Sequence, residues 1–199
     1  MRYRSFAAAV VTLALCAGCQ STFVRSAWFD TDFMGPPMRK IVVAGDVGST
    51  TSNRVLEDAF AERLRTEGVE AVPAHALAID ADTQDPSFAS AVQGSGAQGL
   101  LLVRLLGVDT RTQVSTTMVA GGMGWGRGPW GGSTWQPVQR VSQYDLATVE
   151  TKLFDVKTRS LVWSATTETF NPRSVAQEVP SFATVVIGEL ARRGILPAK

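Results

Sequence analysis

The apolar and polar positions of this chain fall into a few clear rhythms. Lys40–Ala44 (KIVVA) is a short apolar run closed by Gly45, as expected of a buried strand. The loop Gly45–Thr51 carries hydroxyls suited to helix capping, and a helix is predicted from there to about Glu67. Within it Leu56, Phe60 and Leu64 recur every four residues, with Val55 and Ala59 beside them, and Gly68 is placed to end it. Val69–Leu77 reads as a second strand, and Pro73 puts it at a sheet edge. The polar stretch Asp80–Pro86 leads into a short helix from Ser87 to about Gly94. Gly99–Val108 (GLLLVRLLGV) reads as a central strand, with continuation through Val114 left open. After a glycine-rich break, strand character resumes at about Val141 and runs to Asp155. Asp155–Ser160 is a turn and Leu161–Phe170 the return strand, so the pair predicts a long antiparallel hairpin. In the last helix Val175, Val179, Phe182, Val186 and Leu190 share one face. Ser174 and Gln177 have capping-box spacing, Pro180 should bend the helix or mark its true start, and Gly194 can stop it.

Two early crossovers imply parallel pairing in the first half, and the hairpin is antiparallel. The expected fold is therefore α/β (α+β mixed): a single mixed β-sheet of about five strands with helices packed on it. The expected order is strand-helix-strand-helix-strand-strand-strand-helix. Residues 39–197 form this one domain, with a Gly/Trp-rich loop at 119–137. Residues 19–38 read as a tether closed by Pro36-Pro37, which fully extended would reach roughly 65 Å. Trp28, Phe29 and Phe33 are too apolar for a freely solvated linker, so this stretch is expected to pack on the domain as a short edge strand.

Composition narrows the chemistry. The chain has 199 residues, 45% hydrophobic and 19% charged, which is ordinary for a globular domain and argues against a multi-span membrane protein. Its two cysteines, Cys16 and Cys19, both lie in the first 20 residues. The rest of the chain thus holds no internal disulfide and no cysteine-ligated metal, and a single histidine, His75, rules out a multi-histidine site. No metal and no cofactor are expected. Residues 1–18 combine Arg2 and Arg4, the apolar run Phe6–Leu15 and small residues, the layout of an export signal. A run of ten is too short to span a bilayer, which takes about 20 apolar residues. The end, Leu15-Cys16-Ala17-Gly18-Cys19, resembles a bacterial lipobox, except that Cys16 stands where an apolar residue such as leucine is usual. The resemblance implies cleavage after Gly18 and acylation of Cys19, hence a lipid-bilayer partner. It also implies, through Gln20 in place of aspartate, an outer-membrane anchor with the domain facing the periplasm. Loss of Arg2 and Arg4 leaves 17 basic against 18 acidic side chains, so no electrostatic case for nucleic acid arises.

Candidate chemistry is sparse. The loop GDVGSTTS follows a strand and precedes a helix, where phosphates can bind, but it lacks a P-loop lysine and Asp46 would repel the anion. It reads as turn plus cap. His75 has no companion cluster, and no nucleophile elbow surrounds any serine. Asp46, Asp109, Asp145, Glu150, Asp155 and Glu168 offer carboxylates, but nothing selects a pair, and Glu150 and Glu168 read as part of a solvated sheet face. No catalytic residue is expected, and the protein is not expected to be an enzyme. The best candidate is Gly121–Gly132, seven glycines in twelve residues. Loops of that kind are uncommon and are either functional or disordered. The bland alternative is a floppy insertion whose tryptophans fold back on the sheet. Under the functional reading Trp125, Trp130 and Trp135 dock on a partner or on lipid headgroups.

Arg39–Ala71, Gly99–Asp109 and the hairpin Glu150–Phe170 (ETKLFDVKTRSLVWSATTETF) together resemble a group of bacterial envelope lipoproteins whose fold class looks like the TolB amino-terminal domain and CsgG. The resemblance covers most of residues 25–195, and the Gly/Trp loop departs from it. It implies a non-catalytic, periplasm-facing module that contacts an unidentified envelope protein. The alternative it leaves open is an oligomeric secretion or transport lipoprotein whose Gly/Trp loop contacts membrane.

Overall fold

The computed structural model describes residues 22–77, 86–120 and 135–198. Ten elements follow one another: β1 (Thr22–Phe29), β2 (Lys40–Asp46), α1 (Thr50–Thr66), β3 (Glu70–Pro73), a 3₁₀ turn (Ala74–Leu77), α2 (Pro86–Gly94), β4 (Gly99–Ala120), β5 (Trp135–Asp155), β6 (Leu161–Phe170) and α3 (Val175–Arg192). The strands form one mixed sheet in the order β1-β6-β5-β4-β2-β3. β2 runs parallel to β3 and to β4, and the β4–β5, β5–β6 and β1–β6 pairs are antiparallel. This is the mixed sheet with helices that the pattern predicts, with six strands where about five were expected.

The sixth strand is β1, inside the stretch read as a tether. It pairs with β6 from Thr22↔Thr169 to Phe29↔Trp163, with a bulge between Val24 and Ser26. The stretch does form an edge strand, a full-length one, and of the three aromatic residues expected to pack, Phe29 packs from β1 and Phe33 from the loop after it. Val24 and Phe29 turn to the core while Phe23 and Trp28 stay largely exposed. β3 is an edge strand ending at Pro73, as read, but it is shorter than expected. His75 therefore sits in the 3₁₀ turn, not on a strand.

α1 and α3 cover one face of the sheet. Leu56, Phe60 and Leu64 of α1 meet Val179, Phe182, Val186 and Leu190 of α3 over Ile41, Val43, Leu101, Val103, Leu153 and Trp163. Phe60 and Phe182 touch edge to face, 5.2 Å between ring centres. α2 closes a smaller cluster on the other face, with Phe88 and Val92 against Val42 and Ala44. Local chemistry sets the helix ends. Ser49 Oγ accepts from Ser52 N–H (3.1 Å) at the start of α1, so the GDVGSTTS loop is turn plus cap. Gly68 and Gly194 adopt the left-handed backbone that ends α1 and α3 (φ 78° and 71°). At α3, however, the Ser174 side chain makes no capping bond. Its carbonyl takes the N–H of Gln177 and of Glu178 instead, both at 3.1 Å, so the capping box does not form. Pro180 lies inside α3, one turn past the start at Val175.

The protruding ribbon and the cleft at its base

β4 and β5 are 22 and 21 residues long, far beyond the usual three to ten. β4 pairs with β2 only as far as Arg104, and β5 pairs with β6 only from Leu146 onward. From Thr110↔Asp145 out to Ala120↔Trp135 the two strands pair with each other alone. A two-stranded ribbon thus leaves the sheet, roughly 35 Å long at the rise of an antiparallel strand. A bulge between Leu105 and Gly107 marks its root on β4. On β5 the root is held by Asn171, whose N–H donates to the Asp145 carbonyl (2.7 Å) while its Oδ1 accepts the Asp145 N–H (3.0 Å).

Directly paired residues share a face of the ribbon. One face carries Val108, Val114 and Met118 with Val141 and Pro137, interleaved with threonine and glutamine. The other carries Asp109, Arg111, Gln113, Ser115, Arg140 and Ser142 beside Tyr144 and the exposed Val138. Val114, Met118 and Val141 are about 60% exposed (58%, 61% and 62%), so the less polar face lies open along its length. The ribbon also leaves backbone edges without a strand partner among the described residues, the usual template for strand addition.

At the base of the less polar face lies a cleft of about 280 Å³. Leu105, Val108, Ala147 and Val149 of the sheet form one wall, and Val175, Val179 and Phe182 of α3 the other. Asp145, Arg173, Ser174 and Glu178 stand at its polar margin. One register row, Thr22–Thr169–Ala147–Val108, crosses four strands just where the ribbon begins. Thr22 is 3% exposed and shares a 2.8 Å hydrogen bond with the Thr169 hydroxyl. The chain therefore enters the sheet at the end from which the ribbon projects.

The carboxylates named from the sequence are scattered. Asp46 pairs with Arg104 Nε at 2.9 Å, and Glu150 with Lys152 Nζ at 2.8 Å. Asp145 accepts from the Thr110 hydroxyl (2.7 Å), and Asp155 accepts from the Thr158 N–H in the hairpin turn (2.7 Å). Glu168 pairs with Arg25 and is only 6% exposed, so it is not the solvated side chain expected. His75 has company that sequence reading missed. Its Nδ1 lies 2.8 Å from Glu57 Oε2, and its Nε2 lies 3.4 Å from Asp58 Oδ1. Glu57 is 1% exposed and also accepts the N–H of Gly45 and of His75, both at 3.0 Å. A buried carboxylate that takes two backbone donors ties the end of β2 to the turn after β3, a structural role. Glu57, Ala61 and Leu64 follow helical spacing, and that was the available signal.

Of the site residues expected from sequence, Cys19, Trp125 and Trp130 lie outside the described residues, and Trp135 opens β5 opposite Ala120. The expected loop at 119–137 is narrower than read, because strand structure runs to Ala120 and resumes at Trp135. No helix among the described residues is long and apolar enough to cross a membrane.

The class these elements define is a mixed six-stranded α/β domain with a protruding β-ribbon. No protein-family model matches this chain, and no curated protein matches it in sequence. Among solved structures it is similar to the PelC dodecamer from Paraburkholderia phytofirmans, with 16% identity over 87% of this chain and 99% of that one and a TM-score of 0.46. It is also similar to the lipoprotein GNA1162 from Neisseria meningitidis, with 12% identity over 77% of this chain and 98% of that one and a TM-score of 0.43. At these scores neither likeness carries an argument about function.

Proposed function

We propose that this protein is an outer-membrane-anchored lipoprotein, held through acylated Cys19, whose domain faces the periplasm. Its work is non-catalytic protein contact in envelope assembly or maintenance. The observation that supports this reading is the shared end of the molecule. Cys19 stands three residues before Thr22, a reach of about 10 Å in extended chain. Thr22 lies in the register row from which the ribbon rises. An anchor at Cys19 would place the root of the ribbon close to the membrane and give a diffusing partner an exposed, partly apolar, edge-open surface beside it.

Photocrosslinkers at Val114, Met118 and Val141, read in cells by mass spectrometry, test the contact. A defined envelope protein should be captured from these positions and not from Asp58, an exposed helix position remote from the ribbon in sequence. Equal capture from both sites would sink the reading. Replacing Cys19 with serine should abolish metabolic lipid labelling, and a persisting label would remove the anchor. The second reading is an oligomeric lipoprotein whose ribbon and Gly/Trp loop contact membrane, and the ribbon's two open edges favour it. It requires a large, detergent-stable assembly in light scattering, where the interaction module should be small.

A further inference from the structure

The cleft at the ribbon base lies close in sequence and register to Cys19. Its wall residues Thr169, Ala147 and Val108 belong to the register row that begins with Thr22. The side chain of Thr22 touches that wall through the Thr169 hydroxyl at 2.8 Å. Cys19 is three residues away, at most about 10 Å of chain, so a group carried on it starts within that distance of Thr22. Inside, the lining is aliphatic and aromatic: Leu105, Val149, Val175, Val179 and Phe182. The polar groups Asp145, Arg173 and Ser174 are exposed, where they meet water or an ester headgroup. At about 280 Å³ the cleft is near the lower limit of small-molecule sites, room for part of a single alkyl chain.

We propose that this cleft is an intramolecular berth for an acyl chain on Cys19, occupied when the protein is away from a bilayer. This rests on the reading that Cys19 is acylated. The driving force is removal of methylenes from water. A bilayer removes them equally well, so the berth competes with water and yields to membrane. Protein in transit keeps the chain covered, and contact with lipid releases it and frees the cleft beside the ribbon. A second cleft, about 330 Å³, lies under α2 against Phe154, Val156 and Arg159. It is the roomier of the two but belongs to the hairpin-turn end of the sheet. It also lies on the opposite face of the sheet, lined by Phe88, Val92, Leu100 and Leu102, whereas Thr22 and Thr169 meet on the face of the first cleft. Position relative to Cys19, more than size, selects the occupant.

The test uses the full mature protein from cells fed a palmitate analogue that carries a diazirine near its tail. Intact mass establishes acylation first. Illumination without vesicles should place the crosslinks on Val108, Val179 and Phe182 of the same chain. Illumination after adding phosphatidylethanolamine–phosphatidylglycerol vesicles should lose them. Val108→Trp, at a half-exposed position on the cleft mouth, should also lose them with an unchanged melting curve. Crosslinks on an acylated protein that fall elsewhere, that join two chains, or that persist in vesicles would overturn the berth. Absence of the analogue from the purified protein would remove the acylation reading itself, and the berth with it.

Discussion

β4 crosses two environments along one strand. From Gly99 to Arg104 it lies between β2 and β5, and Leu101 and Val103 are fully buried beneath α1 and α3. From Val108 onward it has β5 alone, and Val114 is 58% exposed. Val103 and Val114 are the same residue with opposite fates. What separates them is the covering layer, since no helix packs over the ribbon among the described residues. The sheet body holds its shape by burial, while the ribbon holds its shape by pairing and by its root. An isolated two-stranded hairpin is marginal in water, so anchorage to the body is what makes this one an arm.

The strongest way to break that comparison is through the body. Phe60 is fully buried and packs edge to face on Phe182. Phe60→Ala should cost about 3–5 kcal/mol, a large share of the roughly 5–15 kcal/mol that holds a domain together. Urea unfolding should show the midpoint fall with little change of slope. A cost near zero would mean that the α1–α3 layer does not define the body.

Glu57 comes next. Glu57→Ala leaves the N–H groups of Gly45 and His75 without their acceptor, for roughly 1–3 kcal/mol. His75→Ala should cost less, because its side chain is 27% exposed and both backbone bonds to Glu57 survive. Denaturation of the two variants side by side checks the order. The reverse order would mean that the imidazole, not the buried carboxylate, ties β2 to the turn.

These residues also show where the sequence was legible. Leu161–Phe170 is bounded as read, because its apolar run stops at a turn whose Asp155 and Thr158 declare themselves. The α1 stripe was equally plain. β1 was read only as a short edge strand within a tether, without its bounds, since the bulge at Arg25 breaks its alternation. The outer halves of β4 and β5 carry Thr, Gln and Ser with scattered valines, a pattern without an apolar run. Their strand state comes from a partner 15 to 35 residues away, from Ala120↔Trp135 to Thr110↔Asp145, and local periodicity does not carry that information. Glu57 hid for the opposite reason: a charge on an apolar stripe reads as solvent-facing until its donors are seen. Ser174 shows that spacing alone does not make a capping box, because the side chain must also turn inward.

The smallest expected effect concerns the join between the two regions. Asn171 sits at φ 46°, a backbone conformation uncommon for a non-glycine residue, and its side chain accepts the Asp145 N–H. Asn171→Gly keeps the backbone bond from its N–H to the Asp145 carbonyl and removes the side chain whose oxygen accepts the Asp145 N–H. The lost hydrogen bond costs about 0.5–1.5 kcal/mol, and glycine's ease at positive φ offsets part of it. Global stability should therefore barely move. The ribbon should respond more than the body, because its root loses one of two ties. Hydrogen exchange should quicken at Asp145 and along Gln139–Tyr144, while Thr151 and Leu153, deep in the sheet, keep their protection. If exchange rises equally in both places, the ribbon and the body unfold as one unit. If neither changes, pairing between β4 and β5 suffices to hold the arm, and the Asn171 side chain contributes nothing to its root.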